Sequence, residues 1–82
     1  MDAATARAQL RDFVVNSLAK PHLNDGDDIF EIGEAPSLYS LELVLFLEET
    51  LGIPLDDDDL TLANFATIEA MGRLIEHKLQ TS

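Results

Sequence analysis

The chain has 82 residues, 46% of them hydrophobic, and its 16 acidic against 5 basic residues give a net charge of −11. The length predicts a single domain over residues 1–82, and the charge excludes nucleic-acid binding and electrostatic attachment to anionic membranes, because both need clustered Lys and Arg. The absence of cysteine excludes disulfides, thiolate metal sites and a protein thiol nucleophile.

The first predicted element is a helix over residues 3–19, where apolar side chains recur at helical spacing. Pro21 ends it, because proline lacks the backbone N–H that a helix interior needs. Arg7 and Arg11 are expected on its solvent-facing side. The side expected to face the core consists of Leu10, Phe13, Val14 and Leu18.

Residues 21–36 are predicted to form a long loop between the first and second helices, since they contain two prolines, two glycines and five acids. A loop of this length in a small domain is usually functional or unusually well packed. We expect Ile29, Phe30 and Ile32 to anchor it to the core.

The second helix is predicted over residues 37–51 and ends at Gly52, since glycine is favoured just past a helix. Its apolar residues lie on two sides, as in a helix at the centre of a bundle. Leu43 is expected to be buried, whereas Tyr39, Glu42 and Phe46 belong either to this central packing or to an exposed docking stripe. The opposite side is the broad arc Leu38, Leu41, Val44, Leu45, Leu47 and Leu51.

A short helix is predicted at about residues 58–63, with the acidic run 56–59 near the positive end of its dipole. Thr67 is predicted to cap a last helix that runs to about Leu79. The apolar stripe of this helix consists of Ile68, Met71, Ile75 and Leu79, and Arg73 and Lys78 lie toward its end. The predicted fold class is all-α, with three longer helices and one short helix.

The acidity is concentrated in the middle of the chain. Residues 21–72 contain 13 acids and no Lys or Arg, so this stretch carries −13 and the two ends together carry +2. The stretch is either a solvated surface or a docking surface for basic partners. Self-repulsion of the charge predicts a monomer. Because no apolar segment is long enough to span a bilayer, and residues 1–8 contain no signal-peptide core, we expect a cytoplasmic protein.

Motifs for catalysis or metal binding are not found. An EF-hand needs glycine and glutamate at set loop positions, and residues 24–36 supply them in neither register. No nucleophile elbow or Gly-rich phosphate loop is present, and His22 and His77 are expected at the surface. Glu48 and Glu49 point ~100° apart on a helix, so they do not form a carboxylate pair. We therefore do not expect an enzyme.

Ser37 lies at the junction between the long loop and the second helix. It either caps this helix or follows Pro36 inside the first turn. In both cases its hydroxyl lies at a helix N-terminus, where free N–H groups and the dipole favour a phosphate. Local chemistry alone favours capping over modification.

From Phe30 to Leu79 the chain resembles acyl carrier proteins and the related peptidyl carrier domains. The hallmark of this family is a Gly-x-Asp-Ser-Leu segment that opens the second helix. Pro36 stands where Asp is usual, and Gly33 lies two residues further back than in the family. The segments that carry the resemblance are Pro36-Ser37-Leu38, Glu42-Leu43-Val44, Leu47-Glu48-Glu49 and Gly52-Ile53-Pro54-Leu55.

The resemblance implies a four-helix bundle of acyl-carrier-protein type and a carrier function. Ser37 would carry 4′-phosphopantetheine, transferred from coenzyme A by a phosphopantetheinyl transferase, and the cargo would be held as a thioester. Ser40 is a weaker alternative site, because Ser37 has the family's spacing to Glu42. Pro36 bears on which transferase recognises the chain.

The resemblance also implies partners, namely an acyl- or aminoacyl-loading enzyme and downstream synthases with basic docking surfaces. A finer resemblance, in residues 37–46 and 59–65, is to discrete carriers of polyketide-type and antibiotic biosynthesis, with aminoacyl carriers as a close rival. The extent of the chain fits a stand-alone carrier and equally an excised domain. The alternative function is an unmodified, carrier-like helical module for protein interaction. The expected docking face consists of Glu42, Leu45, Phe46, Glu48 and Glu49.

Overall fold

Helices are the only regular secondary structure among the residues described, so the all-α prediction is confirmed. The computed structural model describes residues 2–32 and 36–81, apart from the side chains of Pro36, Ser37 and Thr81. Its radius of gyration is 11.7 Å, close to the ~12 Å expected for a compact chain of this length. Within the described ranges, no helix has the length and apolarity to cross a membrane.

Helix α1 spans Ala3–Leu18, in agreement with the predicted first helix. Asp2 caps its N-terminus by accepting a hydrogen bond of 2.8 Å from the Thr5 N–H, and hydrogen bonding from Thr5 holds the pKa of Asp2 below its ordinary value. Ala19 takes the left-handed conformation at the other end, which directs the Lys20 N–H to the Val15 carbonyl at 3.1 Å. The chain therefore turns away from α1 just before Pro21.

The segment after α1 is tied down at several points, as expected of a packed loop. It contains a short helix, α2, at Ile29–Ile32, which was not predicted. Ile29 is buried, and its N–H donates to the Ala66 carbonyl at 2.8 Å. Ile32 remains partly exposed, so Ile29 is the principal anchor.

Arg7 and Arg11 keep partly exposed side chains, as expected, but both also form contacts across the fold. The Arg11 side chain donates to the Leu23 carbonyl and pairs with Asp25, which joins α1 to the loop. Arg7 pairs with Glu76 of the last helix at 2.6 Å. Both contacts are between residues far apart in sequence, which helical spacing alone does not encode.

Helix α3 spans Pro36–Leu45 and continues as a π-helical turn, Phe46–Thr50. The wider turn is closed by the Leu51 N–H, which donates to the Phe46 carbonyl five residues back at 3.0 Å. Gly52 follows with φ of 68°, a conformation that glycine adopts without steric cost. The prediction of a helical segment that ends at this glycine is confirmed.

The α3 segment is buried over only part of its circumference. Leu43 and Leu47 are fully buried and Leu51 nearly so, in a core cluster that also contains Leu10 of α1. Members of both predicted sides therefore pack, Leu43 from one side and Leu47 and Leu51 from the broad arc, whereas the rest of the arc faces outward. The exposed members of that arc are Leu38, Leu41 and Leu45, at 62%, 53% and 43% exposure.

The predicted short helix at residues 58–63 is divided into two pieces. A 3₁₀ turn spans Asp57–Asp59, and helix α4 spans Leu62–Phe65. Thr61 separates them in an extended conformation, because its side chain caps α4 by accepting from the Asn64 N–H at 3.2 Å. A cap must have non-helical dihedral angles, so one continuous helix cannot form here.

Helix α5 spans Ile68–Thr81, and its predicted cap is confirmed. The Thr67 hydroxyl accepts a hydrogen bond of 2.9 Å from the Ala70 N–H. Met71 and Ile75 are fully buried, as the apolar stripe predicts. Gly72 lies under the Arg7 guanidinium, where a Cβ would meet Nε at 2.6 Å. The missing side chain thus leaves room for Arg7 to cross between α1 and α5.

Lys78 of α5 binds the acidic run that follows α3. Its Nζ lies 2.6 Å from Oδ2 of Asp59 and 3.0 Å from Oδ2 of Asp56. The hydrogen bond that Lys78 donates lowers the pKa of Asp59, and the hydrogen bonds that Lys78 donates to Asp59 and Asp56 raise the pKa of Lys78. These contacts fasten the end of α5 to the 3₁₀ turn.

Leu43→Ala is expected to lower the free energy of unfolding by about 2–5 kcal/mol, because it removes buried contacts and leaves a cavity. Leu41→Ala on the exposed side of the same helix is the matched control, with an expected change within about 0.5 kcal/mol. Urea denaturation followed by circular dichroism measures both. Equal losses would contradict the buried side described above.

Asp59→Asn is expected to lower the free energy of unfolding at neutral pH. Because the folded-state pKa of Asp59 lies below its ordinary value of 3.8, its contribution to stability is present above that pH and is lost as pH falls through the folded-state pKa. The pKa of Lys78 is raised from 10.5, so Lys78 stays protonated throughout this acidic range and its own titration does not change the stability there. Urea denaturation at neutral pH and in acid should therefore show a difference from wild type that disappears in acid.

Asp58→Asn provides the control for this titration, since Asp58 is exposed in the same acidic run. It has no ion pair within the part of the chain that the structure describes. Its stability should follow that of wild type at each pH. A difference for Asp59→Asn that persists in acid would show that its cause is not the pairing with Lys78.

Candidate functional site

Ser37 is the second residue of α3 as the structure describes it, and its backbone is helical. It therefore lies inside the first turn rather than at the cap, which agrees with the second of the two predicted placements. The N–H groups of a first turn have no partner within the helix. Pro36 supplies no N–H, so one donor is missing at this end. Gly33, Glu34 and Ala35, which precede Pro36 in the segment compared with the family's hallmark, lie outside the described residues.

Three leucines form an apolar ridge on the outward side of α3, and we call Leu38, Leu41 and Leu45 the leucine ridge. It begins at the residue after Ser37 and extends for two helical turns. Isolated exposed leucines are ordinary at protein surfaces, but three on one face of one helix form a continuous apolar strip. The ridge is therefore a candidate contact surface beside Ser37.

Carboxylates border the leucine ridge without basic partners. Glu42, Glu48 and Glu49 are exposed, and none of them forms an ion pair within the described ranges. Most of the basic residues are engaged elsewhere. The ion pairs are Arg7 with Glu76, Arg11 with Asp25, Arg73 with Glu69, and Lys78 with Asp56 and Asp59. The surface around α3 therefore keeps its negative potential.

Phe46 belongs to the packing between helices and does not stand on the exposed face. Its ring stacks on that of Phe13, with centroids 4.3 Å apart and an interplanar angle of 20°. Tyr39 is also packed against the core. The alternative of an exposed stripe of Tyr39, Glu42 and Phe46 was therefore wrong, since only Glu42 is exposed.

The Tyr39 hydroxyl oxygen is buried without a hydrogen-bond partner among the described residues. Burial raises the pKa of Tyr39, the nearby Ser17 hydroxyl offsets part of this rise, and the negative charge of Glu42 adds a smaller increase. The phenol consequently stays neutral under physiological conditions. It contributes an apolar ring to the core rather than an acid or base to the surface.

A shallow groove between α1 and the α3 segment brings together four of the five predicted docking residues. We call it the α1–α3 groove. It is lined by Glu42, Leu45, Phe46 and Glu49 and also by Phe13, Ser17 and Thr50. Glu48 does not line it. Sequence reasoning missed Phe13 and Ser17, because their only signal was a place on the first helix, and their approach to α3 depends on packing.

A second, smaller cavity lies between α3 and α4, on the other flank of α3. It has a volume of about 120 Å³, and its mouth is bordered by two partly exposed leucines, Leu60 and Leu62. Val44 and Phe65 supply further apolar lining, and Ser40 and Thr61 supply hydroxyl groups. The cavity can accommodate a small, largely apolar group.

The two histidines lie at the surface, as predicted. In the described part of the chain, no three His, Asp or Glu side chains come close enough to hold a metal ion. The chemistry available around α3 is thus a serine at a helix N-terminus, exposed apolar side chains and unpaired carboxylates.

Comparisons with known proteins return no match. No protein-family model, no curated protein and no solved structure matches the chain. The function proposed below therefore depends on the residues of this chain and on their arrangement.

Proposed function

We propose that the protein is an acyl or aminoacyl carrier protein with a four-helix bundle of acyl-carrier-protein type, modified at Ser37. The observation that carries the proposal is the placement of Ser37 in the first turn of α3, directly before an exposed leucine ridge bordered by unpaired carboxylates. Ordinary helix capping does not account for this placement, because Ser37 lies inside the turn. The order of elements, with a long tied-down loop between α1 and α3, also supports it.

The residues present fit a phosphate-linked arm. The first turn of α3 offers N–H groups and the positive end of the helix dipole, both of which favour a phosphodiester at Ser37. When attached, 4′-phosphopantetheine would supply the thiol that this cysteine-free chain lacks. Ser37 would contribute the hydroxyl oxygen, which forms the bond to phosphorus while the nucleotide part of coenzyme A leaves and the hydroxyl proton is released.

Docking to partner enzymes would combine two contributions with different kinetic effects. Full burial of a leucine is worth about 1.5–3 kcal/mol, so each half-exposed side chain of the leucine ridge can add about 1 kcal/mol to a complex. Exposed ion pairs contribute less, about 0–1 kcal/mol, but they accelerate encounter. Glu42, Glu48 and Glu49 would therefore set the association rate, and the ridge would set the lifetime.

The cavity between α3 and α4 bears on the size of the cargo. Its volume of about 120 Å³ is below the ~150 Å³ of a cavity that holds one benzene molecule. A short acyl or aminoacyl unit fits such a space, whereas a long aliphatic chain does not. A cargo held in this cavity would therefore be a short unit, as the finer resemblance implies.

Ser37→Ala tests the attachment site directly. Incubation of the wild-type protein with coenzyme A, Mg²⁺ and a broad-specificity phosphopantetheinyl transferase is expected to add the mass of one phosphopantetheine. The gain should be absent in Ser37→Ala and retained in Ser40→Ala, and intact-protein mass spectrometry measures all three. A mass gain that persists in Ser37→Ala would show that phosphopantetheine is attached at another residue.

The second candidate function is an unmodified helical module for protein interaction, and Pro36 is the observation that favours it. This residue removes a carboxylate and a backbone donor directly before Ser37, where a transferase would dock. The same mass measurement separates the two functions. No gain with several transferases would favour the interaction module.

Glu42→Lys is expected to slow association with the transferase about three- to tenfold at low salt, since it reverses a charge on the docking surface. Dissociation should change less, and the difference from wild type should shrink as salt is raised. Stopped-flow measurement over a salt series gives both rates. Asp12→Lys makes the same charge change on the exposed side of α1, outside the base-free stretch. An equal slowing by Asp12→Lys would attribute the effect to net charge alone.

A further inference from the structure

A further cavity lies between α2 and the turn that follows α1, and we call it the turn cavity. It has a volume of about 420 Å³, within the range of about 300–1,000 Å³ that is typical of small-molecule sites. No described residue of α3 lines it, so it is distinct from the predicted docking face and from the cavity between α3 and α4. The lining consists of Lys20, Pro21, His22, Leu23, Asp27 and Ile32.

The wall of the turn cavity on the α1 side is fixed by backbone hydrogen bonds. The Lys20 N–H donates to the Val15 carbonyl, and the Leu23 N–H donates to the Lys20 carbonyl, each at 3.1 Å. The Leu23 carbonyl accepts from Arg11, and the Leu23 side chain is buried in the core. This wall therefore exists before a ligand arrives, so binding does not have to order it.

Two opposite charges line the turn cavity without pairing with each other. They belong to Lys20 and Asp27, and no ion pair joins these two described residues. Unlike the other Lys and Arg side chains, Lys20 forms no ion pair with any residue that the structure describes. Oδ2 of Asp27 accepts a hydrogen bond of 2.9 Å from the Asn24 N–H, which orients this carboxylate. The space between the two charges is thus open to a ligand that carries both.

We propose that the turn cavity binds a free, apolar α-amino acid. The Lys20 ammonium group binds the carboxylate of the ligand, with the His22 ring as a further donor, and the Asp27 carboxylate binds its ammonium group. The apolar side chain of the ligand lies against Leu23 and Ile32. This inference goes beyond the proposed function, since it requires neither the modified serine nor the docking face.

A zwitterion fits the turn cavity better than a ligand with a single charge. Asp27 and the net charge of −11 would repel an anion, and Lys20 would repel a cation. A free amino acid has no net charge, so the long-range field of the acidic chain does not oppose its entry. The volume also agrees, because a cavity of about 150 Å³ holds one benzene molecule. The larger turn cavity has room for such a side chain together with the two charged groups.

NMR titration of the full chain with L-phenylalanine tests the proposal. The matched analogues are hydrocinnamate, which lacks the ammonium group, and phenethylamine, which lacks the carboxylate. L-Phenylalanine is expected to bind with a dissociation constant on the order of 1 mM and to change amide shifts in the turn and in α2. Each analogue should bind there about fivefold more weakly, because it loses one ion pair. Equal binding of all three, or shift changes confined to α3, would overturn the proposal.

Two variants that remove a charge assign the two polar contacts. Lys20→Gln should weaken L-phenylalanine about fivefold but should not weaken phenethylamine, which has no carboxylate. Asp27→Asn should weaken L-phenylalanine about fivefold but should not weaken hydrocinnamate, and asparagine keeps an oxygen that can accept from Asn24. Arg73→Gln and Asp58→Asn make the same charge changes at exposed positions outside the cavity and should leave all affinities within about twofold. Equal losses in these controls would overturn the proposal by attributing the effect to net charge.

The apolar contact is tested by changing the side chain of the ligand and that of the wall. L-Alanine carries the same two charges and should bind about tenfold more weakly than L-phenylalanine, because it buries less apolar surface. Ile32→Ala should weaken L-phenylalanine about threefold and leave L-alanine within about twofold. Ile32 is partly exposed, so the fold tolerates this change. Equal affinities of the two amino acids for the wild-type protein would overturn the proposal.

Discussion

The α3 segment is apolar over most of its circumference but buries only part of it, and the surface chemistry of the molecule depends on which part. Leu43 and Leu47 enter the core with side chains of α1 and α5. The leucine ridge must then face outward, because it lies on the opposite side of the same helix. The exposure of three leucines to water is unfavourable in free energy, and a partner surface that buries them would remove this cost. The packing of the core thus places an apolar strip directly after Ser37.

The few basic residues have a comparable influence on the electrostatics. Arg7 ties α1 to α5, Arg11 ties α1 to the loop, and Lys78 ties α5 to the acidic run. Each of these pairs neutralises acids that lie outside α3. The carboxylates that border the leucine ridge therefore keep their charge for an external partner. For recognition, the distribution of paired and unpaired acids therefore matters more than the net charge itself.

Local sequence signals identified most helix boundaries but failed where the backbone is shaped by hydrogen bonds across the chain. Thr67 caps the start of α5, Gly52 follows the end of the α3 segment, and α1 ends shortly before Pro21, as predicted. Each of these signals depends only on residues close by in the sequence. The short helix α2 was missed, since the Ile29 N–H is satisfied by the distant Ala66 carbonyl. Likewise, helical spacing does not predict that Arg7 pairs with Glu76 or that Arg11 pairs with Asp25. The predicted docking residues on the α3 segment were largely brought together, because they follow one helix.

By itself, the sequence determined that the chain is acidic, cysteine-free and helical, that residues 21–72 contain no Lys or Arg, and that a serine opens the most apolar helix. Composition and short-range spacing are enough for these properties. Only the tertiary structure decided which side of α3 is buried, and that Phe46 leaves the exposed face to stack on Phe13. The physical reason is that a helix apolar over most of its circumference can pack in more than one orientation, and the neighbouring helices select one by the contacts they offer.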